Sequence, residues 1–264
     1  MAEVDPGRRF AELMTGPDAA LPLDEVALLI AAHVRPGLDH GAELARLDRL
    51  AAGVRAPTLD TLRHHLFVEL GFTGNRGDYY DPDNSCIDQV VRRRLGIPIT
   101  LSVVMMEVGR RLGVPMAGVS MPGHFLVRDK VDPDVFIDPF DGGAVLDVRA
   151  CEHRFHDVHG SDARFDTRFL EPVSRRAIVA RILANLDAIA TARSDRPMLE
   201  WVTRLRASMP GAGEEHQRRL ASVLAASYRF DEAADILERL ATTGPGGDAA
   251  ADLTAARRLR ARLN

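Results

Sequence analysis

The stretch from Asn84 to Asp147 constrains this chain most, because it sets two amphipathic helices ahead of a hairpin that carries a histidine and an aspartate. Pro98 opens the second helix, where proline gives up no hydrogen bond. Leu101, Val104, Met105, Val108 and Leu112 then recur at helical spacing as a buried stripe, and Gly113-Val114-Pro115 ends it. Two apolar runs follow, Gly123 to Arg128 and Val135 to Phe140, on either side of Asp129-Lys130-Val131-Asp132-Pro133-Asp134. Rich in Phe, Val, Ile and Leu, they read as paired strands. A hairpin symmetric about Val131 sets Leu126 opposite Phe136 and His124 opposite Asp138. Directly opposed residues have Cβ atoms about 4.5–5.5 Å apart, within reach of an imidazole and a carboxylate. A slip of one residue would turn the two apart.

A helix start beside a strand-borne His and Asp is the layout of the papain and transglutaminase superfamily. This segment resembles the transglutaminase-like core of the SirB-type family. The resemblance is carried by Gly96-Ile97-Pro98-Ile99-Thr100-Leu101, Arg110-Arg111-Leu112-Gly113-Val114-Pro115, Pro122-Gly123-His124-Phe125-Leu126-Val127 and Ile137-Asp138-Pro139-Phe140. Leu66-Phe67, Gly71-Phe72 and Gly74-Asn75 extend it toward the N-terminus. It implies an α+β fold: a helical N-terminal region, a papain/transglutaminase-like core with a small antiparallel sheet, and C-terminal tetratricopeptide-like helices. In active relatives a cysteine at the helix N-terminus, made acidic by the helix dipole and the imidazole, is the nucleophile. It precedes the equivalent of Gly113-Val114-Pro115 by about four helical turns. Here that window holds Pro98, Ile99 and Thr100. The His and Asp carry over to His124 and Asp138; the nucleophile does not.

The regions divide as 1–80, 81–172 and 173–264. In the first, Leu21-Pro22-Leu23-Asp24 opens a helix with Val26, Leu29, Ile30 and Val34 on its inner face. Leu44, Leu47, Leu50 and Ala51 mark a second helix, and Leu62, Leu66 and Leu70 a third. The glycine-rich Gly71–Gly77 follows no strand and lacks the lysine of a phosphate-binding loop, so it is a connector. Residues 148–172 are mixed and hard to assign. From Ser174 the pattern is helical, and Leu199, Val202, Leu205 and Pro210 recur as Ala234, Leu237, Leu240 and Pro245, close to the tetratricopeptide period. Tyr228–Ala233 reads as the turn between two helices of such a repeat. Stacked helix pairs leave a concave surface suited to peptides or partner proteins.

With 264 residues, 46% hydrophobic and 27% charged, the chain is an ordinary globular one. A net charge of -4 gives no case for nucleic acid or an anionic membrane. No apolar run is long enough to span a bilayer, and the N-terminus does not read as a signal peptide. Two cysteines, Cys86 and Cys151, make neither a disulfide framework nor a metal site, and the expected compartment is the cytoplasm. No cofactor is expected.

Cys86, His124 and Asp138 are the candidate catalytic residues, the last two as a residual triad. Cys86 follows Asn84-Ser85, a plausible N-cap, so a helix dipole would acidify it, while Asp81 and Asp83 would oppose this. It also shares a stripe with Val90, as a small buried hydrophobe would. Cys151 is expected to be structural. Thr100 and Ser102 are alternative hydroxyl nucleophiles in need of activation, and Glu107 is expected on a solvated face. His64-His65 with Glu69 do not make a metal site on an α-helix, where adjacent side chains diverge. Arg92-Arg93-Arg94 complement a helix C-terminus, and Arg257, Arg258, Arg260 and Arg262 form a solvated basic face. Two functional readings stand: a protein- or peptide-binding protein that has lost or altered its chemistry, and a cysteine hydrolase or acyl transferase using Cys86 with His124 and Asp138. A third makes the core a scaffold for an adaptor.

Overall fold

The computed structural model describes residues 5–243 and 248–263. Helices α1 (Pro6–Met14), α2 (Leu23–Val34), α3 (His40–Ala52) and α4 (Leu59–Arg63) come first, and α4 runs on into a π-helical segment, His64–Glu69. Then follow β1 (Thr73–Gly74), α5 (Ile87–Arg93), β2 (Leu95–Gly96) and α6 (Pro98–Leu112). A sheet of β3 (Met116–Val119), β4 (Leu126–Asp129), β5 (Phe136–Asp138) and β6 (Ala144–Leu146) leads into α7 (Val148–His159). Helices α8 (Arg175–Arg193), α9 (Arg196–Ala207), α10 (Glu214–Ala226), α11 (Phe230–Thr243) and α12 (Ala249–Arg260) complete the chain. The fold is α+β, as expected. No helix of the described residues is long and apolar enough to cross a membrane.

The chain forms two compact units. One is Gly16–Ile182; the other joins residues 5–15 with the described residues from Leu183 onward. In the second, α9 to α12 bury Ala207, Leu220, Leu224, Ala233, Ala234, Leu237 and Ala256 between successive helices. Leu199, Val202 and Leu205 lie on α9, and Ala234, Leu237 and Leu240 on α11; Pro245 falls outside the described residues. The turn expected at Tyr228–Ala233 is shorter, with Tyr228 in a left-handed conformation and α11 already begun at Phe230.

In the larger unit α6 is the central element, buried almost throughout from Pro98 to Gly109. Proline sits at its first turn and Gly113 ends it. The strands then form an antiparallel sheet in sequence order. Leu126, Phe136 and Val119 meet Cys151, Phe155 and Leu170 on one side of it. Residues 148–172, mixed in composition and hard to assign from the sequence, contain a regular helix. Asp147 accepts a hydrogen bond from the Ala150 amide at 2.7 Å and caps it.

The hairpin register differs from the symmetric one. Val127 pairs with Ile137 and Arg128 with Phe136, so the centre of the turn lies at Asp132 rather than Val131. The partner of each β4 residue is displaced by two, an even number. Side-chain parity therefore survives, and residues 124 and 138 become diagonal rather than directly opposed neighbours.

Glu107, expected to face water, is fully buried. It pairs with Arg110 at 2.6 Å and with Arg175, while Asp24 takes Arg111 at 2.7 Å and Arg110 at 3.0 Å. Burial, and then the neighbouring Asp24 charge, push the Glu107 carboxyl up. For Asp24 burial acts the same way, but the hydrogen bond and charge of Arg111 outweigh it and hold the carboxyl below its usual 3.8. A carboxylate with a lowered folded-state pKa contributes stability that is whole above the unfolded value and fades as pH falls through the folded one. Asp24→Asn is therefore expected to lose about 1–3 kcal/mol in urea unfolding at pH 7. The gap should narrow progressively below pH 3.8; a gap of constant size down to pH 3 would contradict the assignment.

Candidate functional site

His124 enters β4 from a tight turn in which its amide donates to the Met121 carbonyl at 3.0 Å. Gly123 makes that turn possible twice over. Its φ of 73° is in the left-handed region, and a Cβ there would lie 2.6 Å from Val158 on α7. His159 on the same helix donates from Nε2 to the Pro122 carbonyl at 3.0 Å, which ties the turn down.

Asp138 ends β5 and is fully buried. Its Oδ1 accepts the amides of Phe140 at 3.1 Å and Asp141 at 3.2 Å, capping the short turn Pro139–Asp141. Its Oδ2 lies 2.9 Å from His124 Nε2 and 3.4 Å from Arg154 Nε. The first spacing is that of an ion pair, but the ring N–H does not aim along the line to the oxygen. Both buried atoms consequently lack an aligned hydrogen bond.

Around this pair the side chains close into a ring. Arg154 also binds Asp141 at 2.7 Å, and Asp141 binds Arg76 at 2.8 Å. The Arg76 guanidinium stands 5.0 Å over the Phe140 ring, and Phe140 meets His124 edge-on at 6.1 Å between centroids. Tyr79 joins the rim, 6.0 Å from Phe140 and 5.3 Å from Tyr80. Phe140 also connects the pair to the start of α6. Gly74 pairs with Gly96, two residues before Pro98, and a Cβ on Gly74 would come within 2.4 Å of the Phe140 ring.

At the α6 start, Thr100 is buried and fully engaged. Its hydroxyl donates to the Asn84 carbonyl at 2.6 Å and accepts from the Ile97 amide at 3.2 Å. Ser102 donates to the Pro98 carbonyl at 2.8 Å. Neither hydroxyl faces an imidazole through these bonds. Cys86 is itself the N-cap residue of α5, where its side chain makes no capping bond. Asn84 and Ser85, expected to cap that helix, instead lie in a turn capped by Asp81. The Cys86 sulfur is fully buried, and burial above all pushes its thiol up to about 12. Arg35 pulls it down, but Asp88, Asp83 and Asp81 push the same way as burial. Cys151 is equally buried, and its thiol is likewise raised by burial to about 12. Among the described residues no group of three His, Cys, Asp or Glu side chains is placed to hold a metal ion.

A profile of the transglutaminase-like superfamily matches residues 30–184. The UPF0162 proteins of two Xylella fastidiosa strains are 41% identical over 197 residues and 40% over 190. These matches cover 70% of this chain and 70% of the first relative, and 67% and 68% for the second. The chain belongs to the transglutaminase-like superfamily, in its UPF0162 family. Mouse F-box only protein 21 is 39% identical over 109 residues, 38% of this chain and 17% of that protein. No solved structure matches the chain.

In this UPF0162 protein the sequence reading missed Arg154, Asp141, Arg76 and Phe140. Arg154 had a signal: Asp147 as a cap, then Val148, Cys151 and Phe155 at helical spacing. A shift of the Cys86 thiol from 9.0 to about 12 lowers its thiolate fraction near neutrality by about a thousandfold. Iodoacetamide labelling followed by peptide mapping is expected to modify Cys86 at least about a hundredfold more slowly in the folded protein than in urea. Equal rates in the two states would make the sulfur a live nucleophile.

Proposed function

We propose that this UPF0162 protein is a SirB-type, non-catalytic member of the transglutaminase-like superfamily that binds a protein or peptide in the cytoplasm. The observation that carries the reading is the start of α6. Pro98, Ile99 and Thr100 stand where a thiol would be, and the Thr100 hydroxyl is spent on the Asn84 carbonyl and the Ile97 amide. A hydroxyl nucleophile needs an adjacent base to take its proton. Thr100 gives that proton to a carbonyl instead.

The rim beside His124 supports binding. Tyr79 and Tyr80 are 39% and 66% exposed, and they stand beside Phe140 and the Arg76 guanidinium. Tyrosine and arginine are enriched among the residues that carry interface energy, because large, rigid surfaces bury much area for few frozen torsions. Helices α9 to α12, read as two tetratricopeptide-like pairs, offer a second surface of the kind that holds partner chains.

The test is incubation of the purified protein with a glutamine-containing peptide and a primary amine, and separately with a generic peptide ester. Release of ammonia or acid is expected to stay at the level of the His124→Ala protein. Turnover that His124→Ala abolishes would defeat the proposal. In a peptide-array screen, ligands that bind the wild type are expected to lose about tenfold or more in affinity on Tyr80→Ala, the scale of one interface hot spot.

A further inference from the structure

Away from His124, a cavity of about 230 Å³ opens between the end of α3, the start of α4 and the π-helical segment, lined by Gly53, Arg55, Asp60, Thr61, His64, His65 and Glu69. The π turn builds its floor. The Leu70 amide bonds to the His65 carbonyl at 2.9 Å, five residues back. In that wider turn two adjacent histidines address one carboxylate. His65 Nδ1 is 2.7 Å from Glu69 Oε2, and His64 Nε2 is 3.8 Å from Glu69 Oε1. The expectation that adjacent histidines diverge applies to an α-helix and fails here. Such π turns occur mostly as single turns and are frequent at functional sites.

Two of the other charges on this wall are already matched. Asp60 is paired with Arg63 at 2.9 Å, and Arg63 also donates to the Gly143 carbonyl at 3.4 Å. Glu69 is held by the two imidazoles, and its carboxyl lies below the usual range because of the His65 hydrogen bond, with the Arg55 and His64 charges adding. Arg55 differs: it is exposed, lines the cavity, and makes no ion pair or side-chain hydrogen bond with the described residues. A guanidinium at a cavity mouth with no side-chain hydrogen bond suits the bidentate recognition of an oxyanion, and only the longer-range charge of Glu69 offsets it.

We propose that this cavity is a binding site for a small oxyanion, of the phosphate or phosphate-monoester class, held by Arg55 with the loosely paired His64 beside it. The size fits the class. Pockets for drug-sized ligands start at about 300 Å³, so this one suits a single anionic group on a short stem. With neutral imidazoles, Arg55 and Arg63 balance Asp60 and Glu69. None of this depends on the chemistry or partner proposed for the His124 region.

The probes are inorganic phosphate, glycerol phosphate and sulfate, titrated into the full-length protein and followed by amide chemical shifts and calorimetry. Shifts are expected at Gly53, Arg55, His64 and Glu69. Arg55→Gln should weaken binding about tenfold or more, and His64→Gln should weaken it as well. Both residues are exposed, so the fold should persist, which circular dichroism checks. Tighter binding of glycerol phosphate than of inorganic phosphate would assign the site to monoesters, and equal binding to the free ion. Shifts centred elsewhere, undiminished binding by Arg55→Gln, or no binding at millimolar probe would each overturn the proposal.

Discussion

Burying a carboxylate costs several kcal/mol unless donors and cations replace the lost water, and Asp138 is a fully buried carboxylate. Its donors determine how this part of the protein is built. Oδ1 takes two backbone amides and fixes the turn that presents Phe140. Oδ2 looks toward His124 and toward Arg154 of α7. One side chain thereby orients the end of β5, an imidazole from the turn before β4 and a helix from further down the chain. The sheet makes this possible: with a two-residue period, only an even register brings residues 124 and 138 to the same side.

That parity explains which part of the site the sequence reveals. The symmetric hairpin puts its turn at the wrong place by one residue, which displaces the pairing by two, yet the His–Asp juxtaposition survives because the error is even. Proline at 98 and glycine at 113 bound α6 by local chemistry and need no tertiary information. Glu107 is different. A carboxylate on a helix belongs in water by default. It is buried here because Arg175, far along the chain, reaches it, and no helical period encodes that contact. The π turn at His64–Glu69 fails for a third reason. An apolar stripe of Leu62, Leu66 and Leu70 fits α-helical spacing, so the widened turn leaves no trace in the pattern, though it decides which way the histidines point.

The two cysteines illustrate how burial overrides local position. Cys86 stands at a helix start, where oriented amides favour a thiolate. The preference is worth little against loss of water and three nearby aspartates, and the thiol stays protonated. The backbone there is also committed elsewhere. Asn84 uses its side chain to hold the Asp78 and Tyr79 carbonyls and its own carbonyl to receive Thr100. The segment that approaches the α6 start thus works as a clasp between the loop carrying Tyr79 and the central helix.

A histidine and an aspartate in contact are compatible with catalysis or with structure, and the charges around the carboxylate bear on which. A carboxylate that stabilises a transient imidazolium does so best when its own charge is otherwise unmatched, since the attraction it can add falls once another cation shares it. Asp138 already faces the Arg154 guanidinium at 3.4 Å, and Arg154 is itself anchored by Asp141 at 2.7 Å. The permanent cation is held in place by a second acid, which Arg76 holds in turn while stacking over Phe140. Each member of that ring is fixed by its neighbours, and the ring ends at an exposed aromatic rim. Such a network holds the side chains around the pair in one arrangement.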